Sequence, residues 1–239
     1  MDPTKIIFEW SYLEIFFATL GYFLFLYFVL APLFQSTCRF LERKHFLTKI
    51  AEGEVSRDQV NFEIRHSVSS IIVFGFSSLP LIYVIRTQLV SLASDTLFNI
   101  FFGIVLLNIW NEIHFFVIHR IMHLPWFMKR VHAIHHRSVV PTVWSVYSFH
   151  WFEAFLLSTV PLTLIPFIAL SPLAIALYPL TSVLLNYSGH SNYRFGSGDG
   201  PAWKLFSTRH AEHHYKRRQN YGFATNLLDW LYSYKTRKK

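Results

Sequence analysis

Apolar residues in this chain gather into long runs, and those runs predict its elements. Ser11 to Phe34 carries one ionisable side chain, Glu14. It is long enough to cross a hydrocarbon core of about 30 Å. Val68 to Val90 is a second run, interrupted by Pro80 and closed by Arg86. Leu97 to Ile118 is a third, less pure because it holds Asn108, Asn111, Glu112 and His114. Residues 155–185 are apolar throughout and broken by Pro161, Pro166, Pro172 and Pro179. That stretch is too long for one straight span and short for two, which predicts a hairpin of tilted or partly inserted helices. Residues 36–67 mix apolar and charged positions and predict an interfacial amphipathic helix containing His45. The first run exceeds a signal-peptide core and lacks its basic flank, so it reads as a retained span. The pattern predicts an all-α, multi-pass transmembrane protein.

Composition agrees. The chain is 52% hydrophobic and 15% charged, against about 25% charged in soluble domains. A net charge of +8 invites a nucleic-acid partner, but its distribution rejects one. All basic residues except Lys5 and Arg86 lie in three segments: between the first two spans, among residues 120–137, and after residue 187. The positive-inside rule makes all three cytoplasmic, with the N-terminus outside and the C-terminus inside. The tail with Lys235, Arg237, Lys238 and Lys239 meets anionic headgroups. Lys235 and Arg237 also form a loose variant of a dibasic retrieval signal. Trp10, Tyr12, Tyr22, Tyr27 and Trp110 read as a lipid-facing aromatic belt. Cys38, the single cysteine, excludes an intramolecular disulfide. The glycine-rich stretch 196–201 has none of the context of a phosphate loop and reads as a turn.

The chemistry lies in the histidines. Eight of the 13 form three clusters: His119 and His123; His132, His135 and His136; His210, His213 and His214. On a helix, residues three or four apart share a face, so each cluster is expected to aim its imidazoles together. Imidazole suits iron, zinc, copper and nickel. A structural zinc takes four ligands and a catalytic one about three, so this many predicts two metals in one site. The third span runs into His119 and the hairpin returns before His190, so the ligands can converge on one cytoplasmic cap. Neutral ligands leave the metal charge unbalanced, and carboxylates that accept the second ring N–H are expected nearby. Glu112, Glu153, Glu212 and Asp229 are the candidates.

The order HxxxH, HxxHH, HxxHH resembles the membrane-bound fatty acid hydroxylase and sterol desaturase superfamily. So do Glu112 to Arg120, Pro125 to Ser138, and Tyr187 to Tyr193, where His190 matches a further family ligand. The resemblance covers roughly residues 105–235. It implies a non-haem di-iron oxygenase that spends O2 and two electrons on an unactivated lipid C–H bond. It implies metal ligands at His119, His123, His132, His135, His136, His190, His210, His213 and His214. It also implies a cytochrome b5 or ferredoxin-type electron donor, and residence in the endoplasmic reticulum membrane of a eukaryote or the inner membrane of a bacterium. Where the family often has histidine-proline, His150 is followed by Trp151, which leaves His150 as a possible extra ligand. Asn192 stands in place of the usual glycine.

The expected organisation is a membrane-spanning and interfacial region over 1–104, a catalytic domain over 105–235 that includes the hairpin, and a basic tail over 236–239. Two other readings remain. A membrane zinc hydrolase would use zinc to polarise water, and the glutamate inside HAEHH keeps it open. Its usual two or three histidines fall well short of the number here. A metal-binding or lipid-sensing protein that kept the fold without catalysis is the other.

Overall fold

The computed structural model describes residues 3–195, 208–216 and 219–237, with side chains to residue 233. The expected turn at 196–201 and the side chains of Lys235, Arg237, Lys238 and Lys239 lie outside the described residues. The chain is mostly helical (72%). Short α1 (Pro3–Glu9) leads to α2 (Tyr12–Phe28) and α3 (Leu30–Arg43), then α4 (Arg57–Arg86) and α5 (Leu97–Met122). Of these, Tyr12–Arg43, Arg57–Arg86 and Leu97–Met122 are long and apolar enough to cross a membrane.

Local signals explain where the helices begin. Ser11 and Glu14 form a reciprocal capping box that starts α2, and the Ser56 and Thr96 hydroxyls cap α4 and α5. Residues 36–67 do not form one interfacial helix. α3 ends at Arg43, His45 sits at a positive φ of 61°, and α4 begins at Arg57. In the connection Thr48–Lys49 pairs antiparallel with Tyr193–Arg194, the one two-stranded sheet among the described residues.

Beyond α5, a short α6 (Pro125–Phe127) precedes a π-turn, Met128–His132, and a 3-10 turn, His135–Arg137. The proline-broken stretch then folds as α7 (Trp151–Ser158), α8 (Val160–Leu164) and α9 (Pro172–His190), followed by α10 (Thr208–Lys216) and α11 (Leu227–Arg237). Pro161 and Pro172 stand in first turns, where no amide donor is missed. The hairpin runs the length of the bundle and back. Its tip meets the loop after α4, with the Ala93 amide on the Leu170 carbonyl (3.1 Å) and the Ser171 hydroxyl on Asp95. Arg86 at that same end bonds the Ile7 carbonyl at 2.6 Å. Residues 44–56, 123–138 and 190–195 therefore gather at the opposite end.

Apolar surface gains nothing by leaving lipid for another helix, so close packing and interhelical hydrogen bonds hold such a bundle. α5 and α9 run parallel and touch through small residues: a Cβ on Gly103 would lie 2.7 Å from that of Ala174. Asn108 bonds Thr181 (2.8 Å), Trp110 bonds Thr163 (3.0 Å) and His114 meets Thr159 (3.1 Å). Each such bond contributes roughly 0.6 kcal/mol. Two residues of the expected lipid-facing belt turn inward. Tyr27 is fully buried with its hydroxyl on the Trp144 carbonyl, and Trp110 is half-buried against α8.

Candidate metal centre

All nine histidines expected as ligands come together at the basic end of the bundle, in two adjacent groups. His119, His123, His132, His136 and His213 form one, and His135, His190, His210 and His214 form the other. Within each group the nearest ring nitrogens lie within 4.8 Å of one another. The clusters do not each point one way, as helical spacing alone suggested. In both HxxHH motifs the i and i+4 rings turn to one group and the i+3 ring to the other. His132 and His136 join the first group and His135 the second; His210 and His214 join the second and His213 the first. The two motifs thus exchange roles, and each braces both groups. His190 is placed by α9. The sequence offset that pairs Gly103 with Ala174 also pairs His119 with His190, so parallel helices deliver both rings at one height.

The rings are fixed by what lies behind them. His132 donates from Nδ1 to Glu153 Oε1 at 2.7 Å, with both side chains buried. The other anchors are backbone carbonyls: Tyr221 for His119 (2.9 Å), Gln219 for His213 (2.5 Å), Asn186 for His190 (2.9 Å) and Ser138 for His214 (3.1 Å). His210 bonds the carbonyl of Gly222. A carbonyl only accepts, so each Nδ1 facing one carries the proton and Nε2 presents a lone pair.

That assignment tests whether a metal fits. His190 Nε2 and His214 Nε2 face each other at 3.2 Å, two lone pairs with no proton between them. His119 Nε2, His132 Nε2 and His210 Nδ1 are buried without a protein partner. Converging lone pairs in a dry site repel unless a cation lies among them, and an all-imidazole set suits a transition metal. Burial keeps the rings neutral, as ligation requires. It pushes His135, His210 and His214 well below the ordinary imidazole value, with neighbouring imidazoles adding to the effect, and His213 down to about 4.

Of the expected carboxylates, Glu153 alone contacts a ring. Glu112 accepts the amides of Phe223 (3.1 Å), Ala224 (2.9 Å) and Thr225 (3.3 Å). Asp229 accepts those of Tyr221 (3.0 Å) and Gly222 (2.9 Å). Both clamp the segment whose carbonyls hold His119, His213 and His210, so they act on the rings through the backbone. Glu212 is half-buried and takes no histidine N–H among the described residues. His150 lies outside both groups. It caps α7, its Nδ1 accepting the Phe152 amide at 3.2 Å. Its Nδ1 is taken up by the helix start, and it joins neither of the two histidine groups.

Sequence reasoning missed Glu63. Fully buried, it accepts from Ser138 (2.7 Å), Gln59 (2.8 Å) and Thr142. It pins the segment whose Ser138 carbonyl holds His214. Its only sequence signal is an acid four residues after Gln59 at the edge of an apolar run, which reads equally well as a solvated charge.

Below the histidines a cavity of about 510 Å³ opens between the helices. Phe115, Phe149 and Phe223 line it near the rings, and it reaches Ile82 and Ile7 at the far end of the bundle. Phe149 lies 4.7 Å from the His135 ring and Phe115 4.8 Å from that of His119, measured between centroids.

Known proteins place this arrangement. A probable Delta(7)-sterol 5(6)-desaturase of Neurospora crassa is 28% identical over 187 residues, covering 73% of this chain and 52% of that protein. Delta(7)-sterol 5(6)-desaturase erg32 of Schizosaccharomyces pombe is 31% identical over 139 residues, 57% of this chain and 40% of that one. In Aspergillus fumigatus, erg3C of the same description is 30% identical over 132 residues, 52% and 39% of the two chains. The chain spans about half the length of these curated relatives, or less. No solved structure matches it. The fatty acid hydroxylase family matches residues 104–234. That stretch holds all nine histidines and more than half of the chain, and the chain belongs to the fatty acid hydroxylase family.

Proposed function

We propose that this chain is a membrane-bound oxidoreductase that uses O2 and two external electrons to hydroxylate or desaturate a lipid C–H bond at a di-iron centre. One observation carries the reading: two adjacent groups of imidazoles, all but His123 buried and six held by a hydrogen bond from behind, sit at the head of an apolar cavity within a bundle of long apolar helices. When bound, two irons supply oxygen activation for attack on an unactivated C–H bond. The family and the relatives' sterol desaturase descriptions support a lipid substrate, with sterols among the first to try.

The chain's own residues do the rest. His119, His123, His132, His136 and His213 hold one metal, and His135, His190, His210 and His214 the other. Glu153 fixes His132, while Glu112 and Asp229 fix the carbonyls behind three more rings. Phe115, Phe149 and Phe223 exclude water and press the substrate chain against the histidines. Residues 105–235 form the catalytic domain and residues 1–104 the membrane-spanning support. The metal end faces the cytoplasm, a reading supported by the basic segments gathered there, and a cytochrome b5 or ferredoxin-type protein delivers electrons to it. In a eukaryote this is the endoplasmic reticulum membrane.

Metal analysis of the purified protein and labelled-oxygen lipid profiling test this together. The expected result is two irons per chain and a lipid product whose formation stops without O2. Zinc in their place, with turnover indifferent to oxygen, would overturn the redox reading in favour of a hydrolase.

A further inference from the structure

A buried amide in the middle of α5 has no partner among the described residues. Gly103, Leu107, Asn111, Phe115 and His119 form one inward stripe at four-residue spacing, ending in a metal-group histidine. Every member but Asn111 is apolar or belongs to the histidine groups. Asn111 is 6% exposed and lines the cavity, yet its carboxamide makes no hydrogen bond with any described residue. Asn108, three residues earlier, shows what a structural asparagine does here. Its amide bonds the Ile104 carbonyl and Thr181, both at 2.8 Å.

Several other polar groups in the cavity wall are satisfied from the protein side. The Thr19 hydroxyl bonds Ser78 (3.4 Å), which bonds the Gly75 carbonyl (2.8 Å). Ser158 bonds the Phe155 carbonyl (2.7 Å) and Asn186 the Val146 carbonyl (2.8 Å). Ser77, on α4, lines the cavity and also lacks a partner, but it lies away from the stripe that ends at His119. Asn111 differs in its place on the inward α5 stripe that ends at His119: a neutral donor and acceptor at mid-helix, open to the cavity, in a span where unpaired polar groups are costly.

We propose that Asn111 anchors a neutral oxygen, a hydroxyl or a carbonyl, carried on the part of the lipid that lies deep in the cavity. This deepens the lipid-oxidoreductase reading and rests on it. The eight residues from Asn111 to His119 rise about 12 Å along α5. The anchored oxygen is thus held on the order of 10 Å from the carbon presented to the histidines. A lipid entering tail-first, with only methylene groups at that depth, leaves the carboxamide unpaired. The favoured ligand is one whose polar group is remote from its reacting carbon. A charged group is disfavoured, because no Asp, Glu, Lys, Arg or His among the described residues lines the cavity to pair with it.

Binding tests this without requiring turnover. Purified protein in detergent is incubated with paired probes that differ by one hydroxyl: 1-octadecanol against octadecane, and 5α-cholestan-3β-ol against 5α-cholestane. Bound lipid is counted by mass spectrometry. The quantity read is the alcohol-to-hydrocarbon retention ratio in the native protein divided by that in Asn111→Leu, which cancels each probe's preference for the micelle. A ratio of about three to tenfold is expected for loss of one hydrogen bond, with at least one pair. Ser158→Ala, which removes a hydroxyl already bonded within its helix, should leave the native ratio unchanged.

An unchanged ratio in Asn111→Leu, for both pairs, overturns the anchor and assigns the carboxamide to bound water. Asn111→Ala answers the same question if leucine prevents folding, which the thermal midpoint reports. Retention of neither probe overturns the lipid cavity itself. Iron content, measured on the same sample, shows separately whether the oxidoreductase reading stands.

Discussion

At the scale of single residues, the tautomers of six of the nine histidines follow from the group behind each. His213 is held by Gln219 and completes the five-ring group. His213→Ala should lower bound metal from two per chain towards one. Turnover should fall by more than the roughly 10- to 100-fold typical of losing an outer partner. His45→Ala and His150→Ala, which alter rings outside both groups, should leave metal content unchanged, and elemental analysis of the three variants decides. The buried rings also set a pH dependence. In the metal-free protein His213 titrates near 4, against about 6.5 when unfolded. The folded state then binds fewer protons, so stability rises with pH. From these groups it should be flat above pH 6.5 and fall progressively from 6.5 towards 4. Thermal midpoints of the stripped protein across that range check this, and a midpoint that rises on acidification would contradict it.

Elements show what the sequence could and could not reveal. The apolar run from Leu97 made α5 legible to its first residue, while histidine spacing identified eight of the nine rings the fold gathers and the family resemblance added His190. The division into two groups was not legible. It depends on the i+3 ring of each HxxHH motif turning away from its neighbours, which appears only once α9 and α10 pack against α5. The ring anchors were hidden for a different reason. Most are backbone carbonyls at Asn186, Gln219, Tyr221 and Gly222, and any residue type supplies a carbonyl. Glu112 looked like a ring acceptor because of its distance from His119, whereas its carboxylate spans three amides of the 223–225 turn. That turn is tight. A Cβ on Gly222 would stand 2.0 Å from the Thr225 carbonyl oxygen and 3.0 Å from Glu112 Oε1. Gly222→Ala should therefore displace the clamp, destabilise the fold by about 3 kcal/mol, and loosen metal held through His119, His210 and His213. A variant with native melting and full metal content would show that the segment does not support the rings.

For the whole molecule, alternating helix direction gathers the histidine groups at one end of the bundle. The hairpin tip lies beside Asp95 and the metal groups at the other end, so each connection falls on a determined side. With the basic segments gathered at the metal end, tags near Lys5 and after Arg237 should report opposite compartments, the latter cytoplasmic. Glycosylation or cysteine-labelling at both sites measures this. Finding both in the cytoplasm would mean that residues 12–43 do not cross.

The distribution of the proposed ligands along the chain also bears on how the protein is made. His119 to His136 leave the ribosome while His190, His210, His213 and His214 are still unsynthesised, and the carbonyls at 219–222 come last. Neither metal group is complete until the final helices have returned to the cap. A nascent chain meanwhile displays five histidines in an unfinished arrangement, and such ligands favour copper and zinc over iron. Correct loading is therefore a question of timing. Metal delivered after closure meets two finished sites, whereas metal encountered during synthesis meets fragments that select by affinity alone.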